Sequence, residues 1–167
     1  MLYLKCTQEV QKLVGLRKEN LALPVASEAP LGNWYVNRFT LGRRKAFIFM
    51  SETTLLSFIL FQGKKAVTLE SLPNMLLAGL EQLLQMKGLP QSAIDRAFEH
   101  YDAGRYAKTD NRSDLGSLND LVNQYQWRVE FDGGLAHCDL TDIIMSINDM
   151  PQRRIGWGTS WDAVQSK

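Results

Sequence analysis

Lys108, Thr109, Asn111, Arg112 and Ser113 fall close together in a chain of 167 residues, within the run AKTDNRSDLGSLNDL that begins at Ala107. Two cationic donors, two hydroxyls and an amide lead into a helical pattern built on Leu115, Leu118 and Val122. The unpaired backbone N–H groups of a helix start then face the same space, and such a set suits a phosphate or a carboxylate. Asn119, one turn further on, can bond back to the same loop. Gly116 inside a helix costs roughly 1 kcal/mol relative to alanine, which suggests close packing or close approach by a ligand or a second backbone. The run is neither a Gly-x-x-x-x-Gly-Lys-Ser loop nor a Gly-x-Gly-x-x-Gly turn. The same residues also describe an N-capped helix whose polar side chains tie neighbouring loops together.

A second set joins cations to aromatics: Trp34, Tyr35 and Arg38, with Arg153, Arg154 and Trp157 near the end of the chain. Such residues can hold a nucleic-acid backbone while stacking a base. They also fit solvated turn arginines and tryptophans that cover a core edge. Cys6, Cys138, His100 and His137 are metal-ligand types, but no Cys-x-x-Cys or His-x-x-x-His pair occurs, so no metal site is expected. Neither histidine sits in a recognisable frame around Ser113 or Cys138, so no residue receives a catalytic role and no cofactor is expected.

These residues need elements to position them. Leu2, Leu4 and Cys6 alternate with Tyr3 and Lys5 as in a half-buried strand. Thr7 caps a short helix on Val10, Leu13 and Val14, which Gly15 ends. Residues 17–33, with Pro24, Pro30 and Gly32, read as a surface loop. WYVNRFTL, a turn at Gly42-Arg43-Arg44, and KAFIFM form a hairpin whose second arm is covered on both sides. The second half of LLSFILF is a further strand. Leu72, Leu76, Leu80, Leu83 and Leu84 mark a helix stopped by Gly88. Ile94, Ala97, Phe98 and Tyr101 mark another, closed by Gly104.

Asn111 caps the helix of the opening run. Propensity makes QWRVEF a strand, but Leu115, Leu118, Val122, Tyr125 and Val129 keep a helical period to Gly133-Gly134, so the spacing predicts one helix of about twenty residues. Asp139 caps a helix bearing Leu140, Ile143, Ile144 and Ile147 that ends before Pro151, and a last short helical turn closes the chain. The expected fold is a single α+β domain over residues 1–167: a small, largely antiparallel sheet of about 3–4 strands against about 4–5 helices.

Hydrophobic residues at 45% and charged residues at 22% fit a chain that buries a core. A net charge of +1 supplies no global field for nucleic acid, so any such binding needs a local patch. No apolar run reaches membrane-spanning length, and MLYLKCTQEV lacks the pattern of a secretory leader, so a cytoplasmic protein without a membrane partner is expected. Two free thiols are then expected at Cys6 and Cys138.

The segments LKCT, LGNWYVNRF, FIFMSETTLLSF, AKTDNRSDLGSLNDL, GGLAHCDL and MPQRRIGW together resemble a bacterial family of uncharacterised proteins, a domain of unknown function found partly in mobile gene neighbourhoods. KTDNRSDLGSLND is the most specific segment, matching at Lys108, Thr109, Asn111, Arg112, Ser113, Gly116 and Asn119. The resemblance covers nearly the whole chain and implies a compact domain, with no activity to carry over. Three roles stand open. One is a non-catalytic binding or regulatory module whose site near Arg112 takes a small anion or nucleic-acid phosphate. Another is a protein-interaction or self-assembling module, such as a homodimer, accessory to a mobile element or defence system. The third is an enzyme of unspecified reaction on the same site.

Overall fold

The computed structural model describes residues 1–23, 25–102 and 104–167; the loop expected at Pro24 lies outside them at that residue. The first strand, β1 (Leu2–Cys6), is buried along its whole length. It is followed by α1 (Gln8–Val14), which Gly15 ends at φ +73°. A loop then crosses to β2 (Trp34–Leu41), which pairs with β3 (Arg44–Ser51) through a two-residue turn with Gly42 at φ +62°. β4 (Ser57–Phe61) completes this antiparallel meander. Two helices follow, α2 (Ser71–Lys87) and α3 (Gln91–Phe98). After β5 (Gly104–Lys108) come α4 (Arg112–Phe131), α5 (Leu140–Ile147) and α6 (Ser160–Gln165).

One sheet carries all five strands in the order β4-β3-β2-β1-β5. β1 runs parallel to both neighbours, with Lys5 opposite Tyr35 of β2 and Ala107 of β5. The expectation of a largely antiparallel sheet with about 3–4 strands and 4–5 helices is therefore corrected: the sheet is mixed and five-stranded, with six α-helices among the described residues. The reason lies in β5. Its sequence GRYAK exposes Gly104, Arg105 and Lys108 and fully buries only Ala107, so it lacks the apolar signature of a strand. Gly104 opens that strand and does not close α3, which ends at Phe98.

The pleat divides the core into two apolar layers. Leu4, Cys6, Trp34, Val36, Phe47 and Phe49 meet α1, α2, α3 and α6 on one face. Tyr35, Ile48 and Met50 meet Leu118, Leu121, Tyr125 and Val129 of α4 and Ile143 and Ile147 of α5 on the other. The twenty-residue helix expected from the leucine and valine period is present in full. At the outer edge, Asn148 serves as a surrogate strand: its Oδ1 accepts from the Ser57 N–H at 2.9 Å and its Nδ2 donates to the Ser57 carbonyl at 2.7 Å. Cys6 and Cys138 are free, the first buried in one layer and the second against the other. Among the described residues, no helix is long and apolar enough to cross a membrane.

Candidate functional site

Because β1 is flanked by β2 and β5, Lys5 cannot reach water along the sheet and must find counter-charges on the α4 face. Its Nζ lies 2.8 Å from Glu52 Oε2 and 3.1 Å from Asp110 Oδ1. Burial works to lower the Lys5 pKa, but the hydrogen bonds and charges of Glu52 and Asp110 outweigh it and hold the ammonium above its ordinary value. The Tyr35 hydroxyl sits 2.8 Å from Asp110 and 2.9 Å from Asp114, so one proton faces two carboxylates. Burial, then these two acceptors, push the phenol well above its usual range. Asp110 opposes its own desolvation with bonds from Tyr35 and Lys5, and its carboxyl is held below its ordinary value.

The cluster continues to the end of the chain. Arg154, in the short 3-10 turn Arg153–Ile155 between α5 and α6, donates to the Asp114 carboxylate, and its Nη1 reaches Ser117 Oγ at 3.0 Å. Asn111 caps α4 by accepting from the Asp114 N–H at 3.0 Å. Lys5, Glu52, Tyr35, Asp110, Asp114 and Arg154 thus weld β1, the β3–β4 connection, β2, the start of α4 and the tail into one polar seam. Lys5, Tyr35 and Asp110 are each held in a single protonation state near neutral pH. Burial likewise pushes the Cys6 thiol up to about 12, away from nucleophilic use. Among the described residues, no group of three or more His, Cys, Asp or Glu is placed to hold a metal ion.

Asp110 also borders open space. The adjacent parallel strands β1 and β5 send their following helices to opposite faces, α1 to one layer and α4 to the other. Chains that diverge in this way leave a crevice outside the carboxyl ends of the strands. Here it has a volume of about 810 Å³ and is lined by Gln8, Gln11, Lys18, Leu21, Ala22, Leu23, Lys108, Thr109 and Asp110. Gln11 is partly committed, since its Nε2 donates to the Cys6 carbonyl at 2.8 Å.

Of the residues singled out in the sequence, Lys108 and Thr109 line this crevice, and Asn111 is the helix cap beside it. Arg112, Ser113 and Asn119 are exposed on α4 and are not among its lining residues. The space beside Gly116 is open, with nothing within 4 Å of a Cβ placed there, so no close packing explains this glycine. The aromatic and cationic set divides. Trp34 is fully buried and donates from Nε1 to Tyr101 Oη, while Arg38 bonds Gln62 and pairs with Glu9. Tyr35 and Arg154 meet through Asp114, and Arg153 and Trp157 are exposed on the turn that carries Arg154.

Sequence reasoning missed Lys5, Glu52, Asp110 and Asp114 as a unit. The available signal was Lys5 itself, a cation on the same face of the first strand as Tyr3. It passes for a solvent-facing residue while that strand is taken as half-buried. A family model described as Domain of unknown function (DUF6933) matches residues 3–163. Neither the curated proteins nor the solved structures yield a match.

Proposed function

The chain belongs to the DUF6933 family, a domain of unknown function whose description carries no activity, and we propose from the geometry that it is a non-catalytic binding module for a small anion. The ligand sits in the crevice at the carboxyl ends of β1 and β5. The observation that carries this reading is the divergence of α1 and α4 onto opposite faces, which opens a space of about 810 Å³ beside Lys18, Lys108 and Thr109. That volume is in the range of small-molecule sites, roughly 300–1,000 Å³. The charge of the lining favours an anion: Lys18 and Lys108 face the crevice against one carboxylate among the described lining residues, Asp110, which shares the Lys5 ammonium with Glu52. The non-catalytic part of the reading is supported by the protonation states of Lys5, Tyr35 and Cys6, which leave these groups unsuited to proton transfer near neutral pH.

The test is a titration of isotopically labelled protein with inorganic phosphate, phenyl phosphate and benzoate, followed by amide chemical shifts. Shifts should centre on Gln8, Lys108 and Thr109. Replacing Lys18 and Lys108 together with alanine should weaken binding about tenfold, or about 1.4 kcal/mol, while the melting temperature stays nearly constant. Binding that is indifferent to both lysines, or shifts centred elsewhere, would refute the proposal.

A protein-interaction role has one observation in its favour. Trp127 and Phe131, one turn apart on the outer side of α4, are exposed and stack on each other at 5.0 Å and 19°. Aromatic pairs of this kind are common anchors at protein interfaces.

A further inference from the structure

The two walls of the crevice differ in chemistry, and this difference specifies the ligand more closely than its charge. One wall is polar, formed by Lys108, Thr109 and Asp110 as they leave β5. The other is apolar and comes from the arm Leu21, Ala22 and Leu23. That arm is fastened beside β5: Leu21 bridges to Tyr106 in parallel register, and the Ala22 N–H donates to the Tyr106 carbonyl at 2.8 Å. Beyond Leu23 the chain is fastened again, where Asn33 Nδ2 donates to the Val25 carbonyl at 3.1 Å. Leu23 therefore borders the crevice between two anchors, yet 87% of its surface is exposed. A lone exposed leucine is ordinary. One that lines a cleft together with Lys108 is a surface that a ligand can cover.

We propose that the crevice takes an anion joined to an apolar body, such as an aryl or short acyl phosphate or carboxylate, with the anionic group at Lys108 and the apolar group against Leu21, Ala22 and Leu23. This rests on the crevice being the binding site, as argued above. A bare phosphate engages the polar wall and leaves the arm uncovered, so it gains nothing from the apolar side. A neutral apolar molecule covers the arm and forgoes the lysines. Only the joined ligand uses both walls, and its affinity exceeds that of either fragment because one docking event positions both.

Binding of phenyl phosphate, inorganic phosphate and benzyl alcohol to the full chain, measured by calorimetry and by amide shifts, tests this. Phenyl phosphate should bind at least about tenfold more tightly than inorganic phosphate, which corresponds to about 1.4 kcal/mol. In Leu23→Gln, an exposed substitution whose fold is checked by its melting temperature, the advantage of phenyl phosphate should shrink severalfold while phosphate affinity is unchanged. Equal affinity of the two phosphates, both dependent on Lys108, would overturn the inference and leave the anion site standing. Benzyl alcohol binding as tightly as phenyl phosphate would also overturn it, because Lys108 would then contribute nothing. Absence of Lys108-dependent binding by either phosphate would remove the anion site and the inference together.

Discussion

Tyr35 offers one proton to Asp110 and Asp114, so the stability of the seam depends on which neighbours carry charge. Asp110 titrates below its unfolded value in the folded chain, so the folded state binds fewer protons than the unfolded state around and below pH 4. Its contribution is fully present above the unfolded carboxyl range and is lost as the pH falls through the lowered folded value. Lys5 has the opposite sign. Its folded value is raised, so its contribution is complete below the unfolded lysine range and is lost as the pH rises through the folded value. The seam is therefore intact from roughly pH 5 to 9 and weakens in acid through Asp110 and in alkali through Lys5. Asp110→Asn should lower stability at pH 7 by about 1 kcal/mol or less, since the side chain is 40% exposed and solvent screens its pairs. In urea denaturation the gap between wild type and variant should close as the pH drops below about 4. A gap that stays constant with pH would mean that Asp110 contributes through packing and not through its charge. Lys5 and Asp110 also mark where sequence reading stopped at this scale. Their types were plain, but their pairing depends on a strand register set by residues about a hundred positions apart.

Elements were legible where a single face of one segment decides its shape. α4 illustrates this: Leu118, Leu121, Tyr125 and Val129 all enter one core layer, so the helical period survives even through the strand-prone QWRVEF. The β2–β3 hairpin was legible for the same local reason, with Gly42 in a left-handed turn between two apolar arms. β5 was not, because pairing with β1 makes it a strand, and that partner lies at the other end of the chain. The crevice inherits this difficulty, since it exists only between β1 and β5 and the helices that leave them. Two helical glycines have opposite surroundings. Gly116 suggested close approach, yet its surroundings are open. Gly116→Ala should therefore stabilise the chain by about 0.5–1 kcal/mol, raising the melting temperature by ~1–4 °C. Gly79 lies against β4, where an added Cβ would meet the Phe58 ring at 2.5 Å. Gly79→Ala should destabilise by about 1–3 kcal/mol as α2 is pushed from the sheet. Thermal unfolding of the two variants checks both signs, and a destabilised Gly116→Ala would show that the open space beside α4 is used.

The whole molecule separates its four tryptophans into two classes, and this provides one measurement of both its core and its outer surface. Trp34 and Trp161 are 0% and 2% exposed and share the core layer of α1, α2, α3 and α6. Trp127 and Trp157 are 62% and 67% exposed. Acrylamide should accordingly quench two populations, and replacing Trp127 and Trp157 with phenylalanine should leave a blue-shifted emission that resists quenching. The same experiment addresses self-association. If Trp127 and Phe131 were the core of a homodimer, their exposed surface would contribute about 200–350 Å² per copy, since a fully buried aromatic covers about 150–250 Å². Two copies would then bury about 400–700 Å² through these side chains, against the roughly 1,200 Å² at the lower end of stable interfaces. The aromatic pair is too small to hold two copies by itself, so the quenched fraction should stay constant over about a hundredfold range of protein concentration, equivalent to about 2.7 kcal/mol of mass action. A quenched fraction that falls as concentration rises, and no longer does so in Trp127→Ala, would identify α4 as a self-association face and place a second function on the helix whose opposite end borders the crevice.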